Sequence, residues 1–126
     1  MAITYQEMLA AARAVVPTVS PAEAVHLLET ADAMIVDVRD GTEVAATGKA
    51  KGALAVPRGS LESRVDPGSP NYNPAFRRDR PIILYCGGGA RAALAGKTLH
   101  DMGYSDVRNL GGFRDWVAGG GAVEPA

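Results

Sequence analysis

The sequence predicts an α/β domain in which a parallel sheet carries helices on both faces. Two observations point there. Three short runs are almost wholly apolar and do not alternate, as strands buried on both faces require, and a weaker fourth follows them. Stretches with helical spacing and helix punctuation lie between them, as the crossovers of a parallel sheet require. A third observation sets the size. The chain has 126 residues, 47% hydrophobic and 21% charged, which is one domain's worth. A chain of that length buries about two-thirds of its unfolded surface, so no disulfide or metal staple is needed. Aromatic residues make up only 6% while glycines number 15, so Ala, Val, Leu and Ile must build most of the core.

The elements follow in order. Tyr5, Met8, Leu9, Ala12, Val15 and Val16 recur at helical spacing, Thr4 and Glu7 fit a capping box, and Pro17 stops the helix. Ser20, Pro21 and Glu23 open a second helix that runs to about Glu29. Met34 to Val38 is the first strand. A short helix is expected around Thr42 to Ala46, then a second strand from Ala53 to Val56, closed by Pro57. The stretch from Asp66 to Pro74 is rich in turn residues and reads as an ordered surface loop. Pro81 to Tyr85 is the most convincing strand. The helix from about Ala90 to Met102 ends at Gly103, a C′ position. Ser105 to Leu110 is a weaker fourth strand, and Gly112 to Val117 a last short helix. The tail from Gly119 to Ala126 is expected to fray. The sheet is therefore expected to hold four to five strands in a three-layer arrangement.

Composition excludes several functions. Thirteen Lys and Arg against 14 Asp and Glu leave a net charge of −1, which gives no general attraction to nucleic acid or anionic membrane. No apolar run is long enough to span a bilayer. The N-terminus lacks the basic start of a signal peptide. Cys86 is the only cysteine, so an intramolecular disulfide and a cysteine-rich zinc site are both impossible. A reducing, cytoplasmic setting is expected, with no cofactor and no metal. His26 and His100 fall on helices away from the strand ends and read as surface or packing residues. Gly96-Lys97-Thr98 resembles the end of a phosphate-binding loop, but the first glycine of that motif would have to stand where Arg91 stands.

In an open parallel sheet, ligands bind beyond the carboxyl ends of the strands. Asp37 and Arg39 follow the first strand, Pro57, Arg58 and Gly59 the second, Cys86-Gly-Gly-Gly-Ala-Arg91 the third, and Gly111 and Gly112 the fourth. The third is the strongest signal. A strand delivers a thiol into a glycine turn, and a helix leaves at once. Such a turn lets the amides of Gly87, Gly88, Gly89, Ala90 and Arg91 point inward as an anion nest. The helix N-terminus and the Arg91 charge add to that field. A thiol there is expected to ionise readily and act as a nucleophile. The setting also suits a persulfide, whose outer sulfur is an anion. A lone cysteine is commonly a small buried hydrophobe, and it is the combination of strand end, glycines and first-turn arginine that argues otherwise. Arg58 is expected at the same edge, where it would either attract an anionic donor or remain a solvated loop charge. Asp37 and Arg39 read as structural, pairing with each other or with Glu43, since a buried arginine needs a partner. Asp37 could alternatively fix the loop through backbone N–H groups. Arg77, Arg78 and Arg80 cluster at the opposite edge and read as surface.

These motifs resemble those of the rhodanese-like family. The resemblance spans Val19 to Val123. It rests on Asp37-Val-Arg39, on Glu43 followed by Gly48-Lys-Ala-Lys-Gly-Ala53, on Tyr85 to Ala92, and on Leu110-Gly-Gly-Phe-Arg-Asp-Trp116. It implies a rhodanese-like fold over residues 19–123, with residues 1–18 as a helical extension (a packing helix or a dimer contact) and 124–126 as a tail. It implies a sulfurtransferase that carries sulfane sulfur on Cys86. The donor would be a small anion such as thiosulfate, and the acceptor cyanide in the test tube or a thiol in the cell. The alternative is a persulfide carrier or a sulfide- or redox-sensing module that serves a partner protein. The protein would be a monomer or a homodimer. Lys49 stands where the family usually has His, and Ala92 where Ser is frequent. A phosphatase or arsenate reductase is disfavoured. Those loops space Cys and Arg by five residues, and here the spacing is four. A phosphatase also needs a general acid, for which Asp66 is a formal candidate, but Pro67 and its turn-rich context suggest a loop role.

Overall fold

The computed structural model describes residues 2–126. Each of the four expected strands is present. They are β1 (Met34–Asp37), β3 (Leu54–Ala55), β4 (Ile82–Cys86) and β5 (Val107–Gly112), and all pair in parallel in the order β3-β1-β4-β5. β1 lies in register with β4 from Met34 opposite Ile82 to Asp37 opposite Tyr85. The β4–β5 register slips by one residue, from Leu84 opposite Asn109 to Tyr85 opposite Gly111, so Leu110 is the extra residue of a bulge. A one-residue parallel bridge between Thr18 and Asn109 extends the β5 edge.

Helices cover both faces. α1 (Tyr5–Val15) and α2 (Pro21–Thr30) both begin in complete capping boxes, on Thr4 with Glu7 and on Ser20 with Glu23. α3 (Gly41–Thr47) follows β1, and α5 (Ala90–Asp101) follows β4. α6 (Phe113–Ala118) starts directly from β5. Strand alternation divides the core between the two faces. Ile82, Leu84 and Cys86 point toward α5 with Val36, Leu99, Phe76 and Tyr104, while Ile83 and Tyr85 point to the other side with Ala24, Ile35 and Trp116.

The N-terminal helix packs on the domain. Leu9 and Ala12 of α1 are buried against Ala93 of α5, and Val16 joins the main core. Gly96 permits this approach, because a Cβ there would stand 2.8 Å from a methyl of Val16. The glycine of the Gly-Lys-Thr tripeptide is thus a helix-contact residue.

The structure corrects the expected tail. Val123–Glu124 forms β6, which runs antiparallel to a strand the sequence did not reveal, β2 (Lys49–Ala50). The Glu124 carboxylate accepts from the Gly52 N–H and from Lys49 Nζ, the residue standing where the family usually has His. Trp116 donates its indole N–H to the Ala122 carbonyl at 2.8 Å, and Gly121 lies flat against the ring. A short α4 (Leu61–Val65) was also missed. It buries Leu61 and Val65, and Tyr104 donates to its last carbonyl. The loop over 66–74 is ordered by turns, with the Asp66 carboxylate accepting the Gly68 N–H. Arg77 and Arg80 pair with Asp32, and Arg78 donates to the Met102 carbonyl, all at the end of the sheet opposite Cys86. No helix is long and apolar enough to cross a membrane among the described residues.

Candidate active site

Cys86 is the last residue of β4, and three glycines separate it from α5. Gly89 is the N-cap of that helix with φ +104°, a left-handed conformation costly for any residue bearing a Cβ. This turn folds the chain back over the strand end. The Cys86 side chain is only 1% exposed. Its Sγ accepts the Gly89 N–H at 3.0 Å and the Ala92 N–H at 3.4 Å. Both donors belong to the helix start, where the first amides have no partner within the helix. Of the five amides expected around the sulfur, only that of Gly89 bonds Sγ. The Ala92 amide was not foreseen, although it is the last of the four orphan donors that a helix presents.

Arg91 spends its hydrogen bonds on Glu43, while Cys86 is, after Glu43, among the groups that push its guanidinium up. Its guanidinium grips Glu43 of α3 fork to fork, with Nη1 to Oε1 at 2.6 Å and Nη2 to Oε2 at 3.0 Å. Glu43 also accepts the Asp40 N–H and so caps α3. The hydrogen bond from Arg91 pulls the Glu43 carboxyl down to about 2, and the Arg91 guanidinium is pushed up by the same bond. The ion pair lies over the loop, since a Cβ on Gly87 would come within 3.0 Å of Arg91 Nη2. A Cβ on Gly88 would meet only open space, so that side of the turn is unobstructed.

Asp37 and Arg39 pair with each other beneath the site. Asp37 is fully buried and Arg39 is 3% exposed. Arg39 donates Nε to both carboxylate oxygens at 3.1 Å and Nη2 to Oδ2 at 2.8 Å. The backbone N–H that Asp37 accepts is that of Arg39, not one of the cysteine loop. The other acceptors of Arg39 are Thr47 Oγ1 and the Gly48 carbonyl, and its Cζ stands 4.4 Å over the Phe113 ring. Tyr85, the neighbour of Cys86, donates its hydroxyl to Asp37 Oδ2 at 2.6 Å and accepts the Ala50 N–H. Burial pushes the Tyr85 phenol up, and its bond to the carboxylate adds to that. Burial pulls the Arg39 guanidinium down, but Asp37 outweighs it and holds the side chain charged. This network joins β1, β4, α6 and the α3–β2 turn into one support.

Arg58 lies elsewhere. Its guanidinium bonds Glu62 at 2.9 Å and Thr98 at 3.0 Å. Thr98 is on the third turn of α5, about 12 Å along the helix from the loop. Arg58 there lines a groove of about 530 Å³ between α1 and α5, floored by Ile3, Met8 and Leu94. The expectation that it reaches the cysteine edge is therefore corrected.

One polar residue at the site was passed over. Asn109 of β5 is buried, and its amide links the cysteine loop to the bulge. The signal was present only as an amide at the position next to Leu110 in Val107-Arg-Asn-Leu110. Among the described residues, no three His, Cys, Asp or Glu side chains converge as a metal-binding set.

A parallel α/β domain that presents a cysteine in a glycine turn at the carboxyl end of its central strand is the class these features define. The family model for the rhodanese-like domain matches residues 20–119, and the chain belongs to that family. Human thiosulfate:glutathione sulfurtransferase is 32% identical over 108 residues, which is 80% of this chain and 93% of that protein. A thiosulfate sulfurtransferase of Stutzerimonas stutzeri is 33% identical over 97 residues, 76% of this chain and 81% of its own. Among solved structures, a Rhodopseudomonas palustris protein of unknown function, named a possible tyrosine phosphatase, matches with TM-score 0.88 and 38% identity, over 98% of this chain and 96% of its own. The polysulfide-sulfur transferase homodimer of Wolinella succinogenes matches with TM-score 0.76 and 32% identity, over 97% and 88%. Relatives of this kind, at about 30% identity, support a sulfurtransferase of the rhodanese type.

Proposed function

We propose that the protein moves sulfane sulfur through a persulfide on Cys86. The Cys86 thiolate, having given its proton to solvent, attacks the sulfane sulfur of a donor such as thiosulfate. A new S–S bond forms, the old one breaks, and sulfite leaves with its electron pair. The outer sulfur of the Cys86 persulfide then lies about 2 Å beyond Sγ. A nucleophilic acceptor attacks that sulfur. The pair from the broken S–S bond returns to Cys86, and thiocyanate or an organic persulfide departs. This is ping-pong covalent catalysis.

The observation that carries the reading is the pair of α5 amides on Sγ. Gly89 and Ala92 donate to the sulfur at the helix N-terminus, where negative charge is favoured. Arg91 contributes by tying the loop to α3 through Glu43, and its charge is compensated there.

The name of the Rhodopseudomonas neighbour raises phosphatase chemistry as a second reading. The residues here disfavour it. The Cys-to-Arg spacing is one residue short, Glu43 holds the arginine that would meet a phosphate, and the Asp66 carboxylate is engaged with the Gly68 N–H in its own turn. Intact mass before and after thiosulfate, then after cyanide, tests the proposal with Cys86→Ser as control. One added sulfur that cyanide removes, absent in the variant, is expected. A folded protein with a free thiol that gains nothing overturns thiosulfate as donor. Turnover of p-nitrophenyl phosphate would favour the second reading. Loading without release to small acceptors would favour the carrier that serves a partner protein.

A further inference from the structure

We propose that Asn109 is a positioning residue for sulfur transfer, acting on the cysteine loop through the Gly89 peptide. The inference rests on the Cys86 reading above and adds a residue to it. Asn109 is 6% exposed, a buried amide between the half-exposed Arg108 and the buried Leu110 of β5. Its Nδ2 donates to the Gly89 carbonyl at 3.1 Å, and its Oδ1 accepts the Gly111 N–H at 2.8 Å. A buried amide in a strand is costly unless both its ends are satisfied. Here both ends are spent on backbone that borders the sulfur.

The geometry explains what the residue does. Gly89 is the hinge between turn and helix, and its own N–H is the shorter of the two donors to Sγ. Left-handed glycine has the greatest backbone freedom of any residue, so nothing within Gly89 holds that N–H in place. Asn109 supplies the restraint from the neighbouring strand. It fixes the carbonyl on the other side of the Gly89 Cα, alongside the helical bond that carbonyl accepts from Ala93. At its other end the side chain is itself held by the bulge, because Gly111 is the residue on which the β4–β5 register resumes. The backbone of Asn109 is pinned as well. Its N–H donates to the Pro17 carbonyl at 2.8 Å and its carbonyl accepts the Val19 N–H at 3.0 Å. The restraint thus runs from a braced strand, through one side chain, to the Gly89–Ala90 peptide, one Cα away from the N–H that Gly89 presents to the nucleophile. Preorganised donors of this type matter because they need no rearrangement as charge develops.

Asn109→Asp is the informative variant. It keeps the size of the side chain and an acceptor for Gly111, but places an oxygen against the Gly89 carbonyl. Val107→Ala, at the far end of the same strand, serves as the control for lost stability alone. Two measurements are made on the whole chain: stopped-flow sulfur uptake from thiosulfate, and hydrogen exchange at the Gly89 amide. In Asn109→Asp the maximal uptake rate is expected to fall about tenfold or more, less than the loss of a whole oxyanion donor causes. Half-saturating thiosulfate is expected to move less than twofold, and the Gly89 amide to exchange at least tenfold faster while Ile83 and Leu84 stay protected. Val107→Ala is expected to melt earlier with the uptake rate and Gly89 exchange unchanged. Equal rates and equal Gly89 protection in Asn109→Asp and wild type would overturn the proposal, as would a loss of rate that Val107→Ala shares. If wild type itself takes no sulfur from thiosulfate, the donor reading fails, and the exchange measurement alone decides whether Asn109 holds the loop.

Discussion

At the scale of single residues, charge is handled in two different ways around Cys86. Arg39 and Asp37 form a buried pair whose worth lies in being complete. Removing one partner strands a charge where water cannot reach it, at a cost of about 3–5 kcal/mol. Arg39→Ala is therefore expected to lower the unfolding free energy by that order and the urea midpoint with it, Asp37 being fully buried and left with only the Tyr85 hydroxyl and a backbone N–H. Equal midpoints would show that the network is dispensable. Glu43 and Arg91 form a half-exposed pair, and their contribution is smaller and depends on pH. The Glu43 carboxyl lies at about 2 in the folded protein against an ordinary 4.5. A lowered carboxyl stabilises the fold above the unfolded value and loses that contribution as pH falls through the folded one. Wild type is thus expected to exceed Glu43→Gln in stability at pH 7, by up to about 1 kcal/mol given solvent screening. The gap should close as pH falls from about 4.5 toward about 2. Melting temperatures of both proteins across that range check the sign, and a gap that widened in acid would refute it.

At the scale of elements, the C-terminal segment matters more than its composition suggests. β6 pairs with β2, Gly121 covers Trp116, and the indole reaches the Ala122 carbonyl. Ending the chain at Ala118 would uncover a side chain that is now 3% exposed. A loss of about 2–3 kcal/mol is expected from that exposure. Trp116 is the only tryptophan, so its native emission should shift to the red while urea unfolding moves to lower concentration. An unshifted spectrum would mean that the ring is held by α6 alone. Glycine density made this segment read as frayed. Flexible residues can still be fixed when an aromatic face and a partner edge wait for them, and the partner edge, β2, is far away in sequence.

At the scale of the molecule, the legible features were those written in local pattern. Apolar runs gave three strands of the sheet and a weaker pattern the fourth, capping boxes gave α1 and α2, and the strand–cysteine–glycine–helix sequence gave the turn around Cys86. Contacts that depend on distant pairs were not legible. The grip of Arg91 on Glu43, the turn of Arg58 toward Thr98, and the β2–β6 ribbon are each decided by where the helices settle, and several partners of suitable charge were available. Asn109 is the intermediate case, visible as a misfit in its strand but without meaning until Gly89 was brought beside it.

The bulge at Leu110 carries a consequence for how this protein can vary. Asn109 reaches Gly111 across one intervening residue, and the same two-residue step restores the pairing of β5 with Tyr85. The strand therefore encodes a distance as well as a set of side chains. Exchanging Leu110 for another apolar residue leaves that distance intact. Deleting it would keep every chemical group of the site in the chain and still uncouple Asn109 from the turn. Changes of length belong in 66–74, where the backbone closes on its own turns, and β5 can diverge only by replacement.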